Sequence, residues 1–307
     1  MKKNNLGLKP KKTIKTINRV VDLQYKKIIK FILKHGEKVK TPQDVDALTC
    51  FGTAPSLIYD FKNGVPIITE RQLFIRGAIG EMCAFINGVQ DFTIMKNEYS
   101  VPEPFWGPWT TMEKTKKVGA KKGCLGDGSY GPALAAFPIH KGKTYDQIAN
   151  VIRMLSDEKL QHRRTIYVTS WIPYMNGWGQ NQKTVVSPCH GNFHFRVISG
   201  YLDLISWHRS ADILLGFPND MISYIALFKM VESLTKLKAR RLIFQFGDAH
   251  IYENQLSQAK AILKVETRIF PDLRIHNLKK NIRDYRANDF ELIDYRPNNK
   301  IFIPSAI

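Results

Sequence analysis

Apolar residues recur at helical spacing over residues 14–33, through Ile17, Val20, Val21, Leu23, Ile28, Ile29 and Ile32, and predict a first helix there. Over residues 57–68 the pattern alternates around Lys62-Asn63-Gly64, as in a β-hairpin. Residues 73–87 return to the helical period and stop at Gly88, a common C-terminal signal. Residues 99–138, rich in Gly, Pro, Lys and Trp, predict an irregular lobe. A helix is expected over 145–160 and a strand over 164–171. Two further strands, 191–198 and 202–208, are joined by Ser199-Gly200. A long helix over 220–237, a strand over 241–246 and a helix beginning after Asp248 complete the pattern. Strands and helices interleave without a strict βαβ repeat and without a GxGxxG or Walker loop. The expected fold class is therefore α+β, a single domain with a large mixed β-sheet flanked by helices. Its boundaries are read as a basic arm, 1–19, and one folded domain, 20–307.

Composition supports a folded core: 44% of the 307 residues are apolar and 11% aromatic. No apolar run approaches the ~18 residues of a membrane span, and the charged N-terminus leads into lysines rather than a signal core. Cys50, Cys83, Cys124 and Cys189 form no CxxC pair, which argues against structural zinc, any other metal site and a disulfide framework. The expectation is a soluble, reduced, cytoplasmic protein that does not engage membranes. The formal charge of +19 favours anionic ligands. Lys2, Lys3, Lys9, Lys11, Lys12, Lys15 and Arg19 carry part of it. That segment reads as a solvated arm, because no RNP-type strand, helix-turn-helix or zinc finger accompanies it. Weak association with nucleic acid or a replication assembly through this basic surface is the most it implies.

Ser187-Pro188-Cys189-His190 is the first candidate for chemistry. A lone cysteine is most often a small buried hydrophobe, but this one has company suited to a thiolate. His208-Arg209-Ser210-Ala211-Asp212 offers a guanidinium and a hydroxyl as a phosphate clamp. Leu215-Gly216-Phe217-Pro218-Asn219-Asp220 and Gly247-Asp248-Ala249-His250-Ile251-Tyr252 follow in order. Glu81 lies in a helical pattern with apolar flanks on both sides, which favours a buried functional acid over a solvated one.

Together these blocks resemble the thymidylate synthase and deoxycytidylate hydroxymethylase family, from about Phe61 to the closing Pro304-Ser305-Ala306-Ile307. The resemblance implies a thymidylate-synthase-like fold, a homodimer through the sheet with shared active sites, and 5,10-methylenetetrahydrofolate as cofactor. It implies that Cys189 adds to C6 of a pyrimidine nucleotide and makes C5 nucleophilic. Arg209 and Ser210 take the phosphate, Asp212 meets the ring edge through its backbone amide, and His250 and Tyr252 bind the deoxyribose hydroxyl. Glu81 relays protons, Tyr130 stands near the thiol, and Trp106, Trp109 and the tail at Ile307 line the folate pocket. Arg163 and Arg164 match the paired arginines that reach the partner subunit's phosphate. An early arginine of the family has no clear equivalent near residues 46–56.

Asp220 sets the expected base. Synthases carry asparagine there, an amide suited to the N3–H and O4 of uracil. Cytosine presents an N4 amino donor and an N3 acceptor, which suit a carboxyl group. Two rival readings are that Asp220 caps a helix, or that a one-residue slip puts Asn219 in its place. The resemblance is thus closest to deoxycytidylate 5-hydroxymethyltransferases, as in phages that modify their DNA, with dCMP as substrate. His194 and His208 stand where synthases carry glutamines, and Pro132-Ala133-Leu134-Ala135 replaces a Trp-Arg pair, which points to a pocket reshaped to admit water. The alternatives are reductive methylation by a thymidylate synthase or dCMP methylase, a CMP hydroxymethylase, and an idle nucleic-acid-binding relative.

Overall fold

The structure, a computed structural model, describes residues 19–177 and 182–306. Lysines 2–15 of the arm and Ile307 of the tail lie outside the described residues. Arg19 is tied to the body of the protein, donating to the Phe270 carbonyl (3.1 Å) and to the Asp272 carboxylate (2.5 Å). The first helix, α1 (Gln24–His35), begins later than its apolar pattern, because Asp22 accepts the Gln24 N–H (2.8 Å) and starts the helix there. Its buried stripe is Tyr25, Ile28, Ile29 and Ile32.

The main sheet contains β1 (Glu37–Val39), β2 (Ala47–Phe51) and β3 (Leu57–Asp60). The expected hairpin over 57–68 does not form. β3 pairs with a distant strand, and Lys62-Asn63-Gly64 instead closes one 3₁₀ turn, capped by Asp60 and ended by Gly64 at φ 97°. The chain then runs buried beneath the core, Val65 donating to the Pro271 carbonyl (2.9 Å). Helix α2 (Ile75–Ile86) follows as predicted, with Gly88 in the left-handed region. The expected irregular lobe holds short helices: α3 (Phe92–Tyr99), α4 (Glu103–Trp106), α5 (Met112–Lys117) and α6 (Tyr130–Ala135). Two-residue strands β4 (Phe137–Pro138) and β5 (Thr144–Tyr145) pair beside it, ahead of α7 (Gln147–Ser156).

Of the strand expected over 164–171 only β6 (Tyr167–Val168) pairs, with β7 (Asn192–Ile198). Ser199 and Gly200, both at positive φ, turn the chain into β8 (Tyr201–Asp212). Helix α8 (Gly216–Thr235) is apolar around most of its circumference, so it lies largely buried between the sheet and α2. Close approach of α2 to the end of α3 is fixed by Gly80, where a Cβ would come within 1.7 Å of the Tyr99 carbonyl oxygen. Strand β9 (Lys238–Tyr252) runs parallel to β8 and outlasts its predicted end at Phe246. Residues 248–252 pair with β2, and residues 248–250 also with β8 on the other side. The helix expected after Asp248 therefore starts only at α9 (Leu256–Lys264). The sheet order is β1-β2-β9-β8-β7-β6, with β3 also on β9, and a separate pair is formed by β10 (Asp272–Ile275) and β11 (Phe290–Ile293). Among the described residues every strand pairing but β8–β9 is antiparallel, so the sheet is mixed and flanked by helices, as expected. Among the described residues no helix is long and apolar enough to cross a membrane.

Candidate active site

Cys189 sits on the loop entering β7. Its N–H donates to the Tyr130 hydroxyl oxygen (2.7 Å) and its carbonyl accepts the Arg209 N–H (2.9 Å), which ties the loop to α6 and β8. The Arg209 guanidinium binds the same loop: Nε donates to the Pro188 carbonyl (2.7 Å), Nη2 to that of Ser187 (2.6 Å), and Nη2 lies 3.6 Å from Sγ. Burial pushes the thiol pKa up, Arg209 opposes it, and Asp220 adds to the rise. The cation is thus already placed to hold a thiolate once one forms.

Asp220 lies one turn into α8, which starts at Gly216, so it is not the cap of that helix. Asn219 is turned away: its amide donates back to the Leu215 carbonyl (2.9 Å). The Asp220 carboxyl lies between two imidazoles, with His190 Nε2 3.4 Å from Oδ1 and His208 Nε2 3.3 Å from Oδ2. Its pKa rises to about 6, chiefly through burial, with His190 lowering it and Asp212 raising it. Burial also keeps both histidines neutral, pushing His190 down to about 4 and His208 to about 3.

Glu81 accepts the Trp106 indole N–H at 2.6 Å. Burial first, then the nearby Asp220, raises its pKa to about 8, so it keeps its proton at neutral pH. Phe85, Tyr130 and His190 form a column with ring centroids 4.7 and 4.6 Å apart. That column sets Tyr130 under the Cys189 N–H.

The strand extension of β9 carries His250 and Tyr252, which therefore occupy a strand rather than a strand-to-helix turn. His250 Nδ1 donates to Asp248 (2.9 Å), which leaves Nε2 an acceptor for a hydroxyl proton. Tyr252 stands edge-on to His250, 4.9 Å between centroids. Asp212, expected to act through its amide, also has a carboxyl role: it accepts the N–H groups of Leu214 and Leu215 and the Gln255 amide. Gln255 in turn donates to the Pro304 carbonyl (2.9 Å), seating the tail over this end of the sheet. Ser210 lies beside Asp248 in register and its N–H shares the Cys189 carbonyl. Trp106 is almost wholly buried, whereas Trp109 is half-buried with Lys114 Nζ 4.3 Å over its ring.

Arg163 and Arg164 are not brought to this cluster. Both are exposed on the loop before β6, and neither side chain hydrogen-bonds to a pocket residue among the described residues. His194 is also elsewhere: it shares the outer sheet face with Tyr167, opposite the buried Phe193 and Phe195. Of the two histidines only His208 reaches the cluster, through Asp220, so the expectation that both reshape the pocket is corrected. Sequence reasoning did not single out Tyr224 and Gln255 as site residues. Tyr224 sits one turn beyond Asp220 on α8, a spacing that would have flagged it; Gln255 has no such signal. Against known families, the thymidylate synthase profile matches residues 23–307.

Proposed function

The chain belongs to the thymidylate synthase family, and from that premise we propose that it is a deoxycytidylate 5-hydroxymethyltransferase acting on dCMP. Membership makes it a one-carbon transferase on a pyrimidine nucleotide that uses a methylenetetrahydrofolate-type folate. The observation that carries the cytosine reading is the Asp220 carboxyl, held between His190 and His208 while the Asn219 amide is tied back to its own helix. With a pKa near 6 it keeps a proton accessible close to neutrality. It can accept from the N4 amino group and donate to N3.

Cys189 adds through Sγ to C6, with Arg209 Nη2 beside the forming thiolate. The electron pair displaced toward N3 is met there by the Asp220 proton. Glu81, protonated and fixed by Trp106, handles protons at the exocyclic side of the ring. His250 and Tyr252 take the sugar hydroxyl, and Arg209 and Ser210 take the phosphate. Trp106, Trp109 and Lys114 would receive a flat pterin with an anionic glutamate, and the tail that Gln255 holds would close over it. When bound there, the folate supplies the one-carbon unit at the methylene level. Arg163 and Arg164 serve the partner's phosphate across a dimer formed by the outer sheet face, where Trp207, Ile205 and Ile243 are half-exposed and Tyr167 is exposed.

Incubation with dCMP and methylenetetrahydrofolate yields 5-hydroxymethyl-dCMP with no rise in dihydrofolate absorbance. Turnover of dUMP alone refutes the reading. Retention of Trp106 and the seated tail favours reductive methylation as the second reading, and a dihydrofolate signal accompanying dCMP turnover would select it.

A further inference from the structure

His208 is an expensive residue in its position. On β8 its same-face neighbours Leu204 and Ser206 are buried, and its own side chain has 0% exposure. Phe217, Phe244, Phe246 and Tyr224 surround it, with ring centroids 5.5 to 5.9 Å away. Neither ring nitrogen has a directed hydrogen bond among the described residues. A buried nitrogen without a partner is unfavourable, and an apolar side chain would suit this box better. The polar atom within reach is Asp220 Oδ2, 3.3 Å from Nε2.

The other oxygen faces His190, whose Nε2 lies 3.4 Å from it. The Tyr224 hydroxyl oxygen accepts the Gly191 N–H (2.8 Å), so its own proton is available to His190 Nδ1 (3.2 Å). When Nδ1 accepts that proton, His190 carries its own on Nε2, facing Asp220 Oδ1.

Resting on the cytosine reading above, we propose that His208 is a positioning and specificity-determining residue: with His190 it flanks the two oxygens of Asp220 at 3.3 and 3.4 Å, contacts that tighten into N–H donation when the base binds, and so presents the carboxyl's free edge to N3 and N4 of cytosine. A carboxyl has lone pairs enough for both roles, one per oxygen to a histidine and one to the base. The proton balance closes. As Sγ bonds to C6 and the electron pair moves to N3, the acid proton passes from Asp220 to N3. The carboxylate left behind is stabilised by both imidazole N–H groups. A cationic partner would hold Asp220 permanently ionised, unable to give that proton; a purely apolar one would oppose its release. The other groups that face Asp220 are Asp212 at the end of β8, Glu81 from α2, Tyr130 from α6, Cys189 from its loop and Tyr224 on α8 itself. Among these and the two histidines, none carries a positive charge at neutral pH.

The test compares wild type, His208→Met and His208→Gln with dCMP and dUMP across pH. Loss of one N–H donor to a developing carboxylate lowers kcat for dCMP about 10- to 100-fold in His208→Met, with KM little changed. It also moves the Asp220 limb of the pH profile upward and narrows the dCMP-to-dUMP ratio. His208→Gln, which returns an N–H, recovers most of both. Equal losses in Met and Gln, or an unmoved pH limb, overturn the clamp and leave His208 a packing residue. Should His208→Met not fold, ¹⁵N NMR of the wild type with dCMP decides: the clamp requires hydrogen on Nε2, and a proton on Nδ1 alone overturns it. Wild-type turnover of dCMP controls for the underlying reading. A wild type accepting only dUMP sinks that reading and the clamp with it, whereas a dCMP-active wild type with indifferent variants sinks the clamp alone.

Discussion

Replacing the Cys189 sulfur by oxygen removes the soft nucleophile that Arg209 is placed to serve. Cys189→Ser is expected to lower kcat at least about 10³-fold while dCMP still binds, measured by steady-state kinetics and calorimetry. Glu81 makes a prediction about stability. Its folded pKa, near 8, lies above its unfolded value, so the folded state retains a proton that the unfolded state gives up. Stability from this group is therefore present at low pH and is lost as pH rises from about 4.5 toward 8. Glu81→Gln cannot ionise, so its Tm relative to wild type should climb between pH 5 and pH 8; a constant difference would contradict the assigned burial. At this scale the sequence was informative. Cys189, Arg209, Glu81 and Asp220 stand within one cluster because each had a motif or an anomalous polarity to mark it. The His190–Tyr224 contact had no such marker, since it depends on how a loop meets a helix across 34 residues.

Helix α2 meets its neighbour through a glycine, and that contact sets where Glu81 points. Gly80→Ala would drive a methyl into the Tyr99 carbonyl and should destabilise by roughly 3 kcal/mol, seen as a Tm drop of several degrees in calorimetry. α2, α8 and the β7–β8 hairpin were legible because period, length and turn residues agreed. The hairpin expected over 57–68 was not, because its alternation belongs to an edge strand and then to a buried connection separated by the Gly64 turn. β9 was cut short at Gly247, a residue that normally punctuates. Here the strand continues, since the chain beyond it has partners on both sides. Only tertiary pairing could extend it, and that extension is what brings His250 and Tyr252 to the site.

As a whole molecule the protein has one sheet face packed on α8 and an outer face bearing Trp207 and Tyr167, their rings 6.0 Å apart. With Arg163 and Arg164 outside the cluster of their own chain, the proposed dimer has a second copy complete the site. Trp207→Glu should yield a monomer by sedimentation and abolish turnover together; an active monomer would contradict shared sites. The +19 charge favours anionic substrates through a long-range field, so KM for dCMP should rise with ionic strength. The central claim, however, concerns one carboxyl. The most direct measurement is kcat/KM for dCMP and for dUMP in wild type and Asp220→Asn. The account predicts a wild-type preference for dCMP that inverts in the asparagine variant, by about 10²-fold or more overall, because a buried polar edge is left mismatched. A preference that stays the same in both proteins would contradict it.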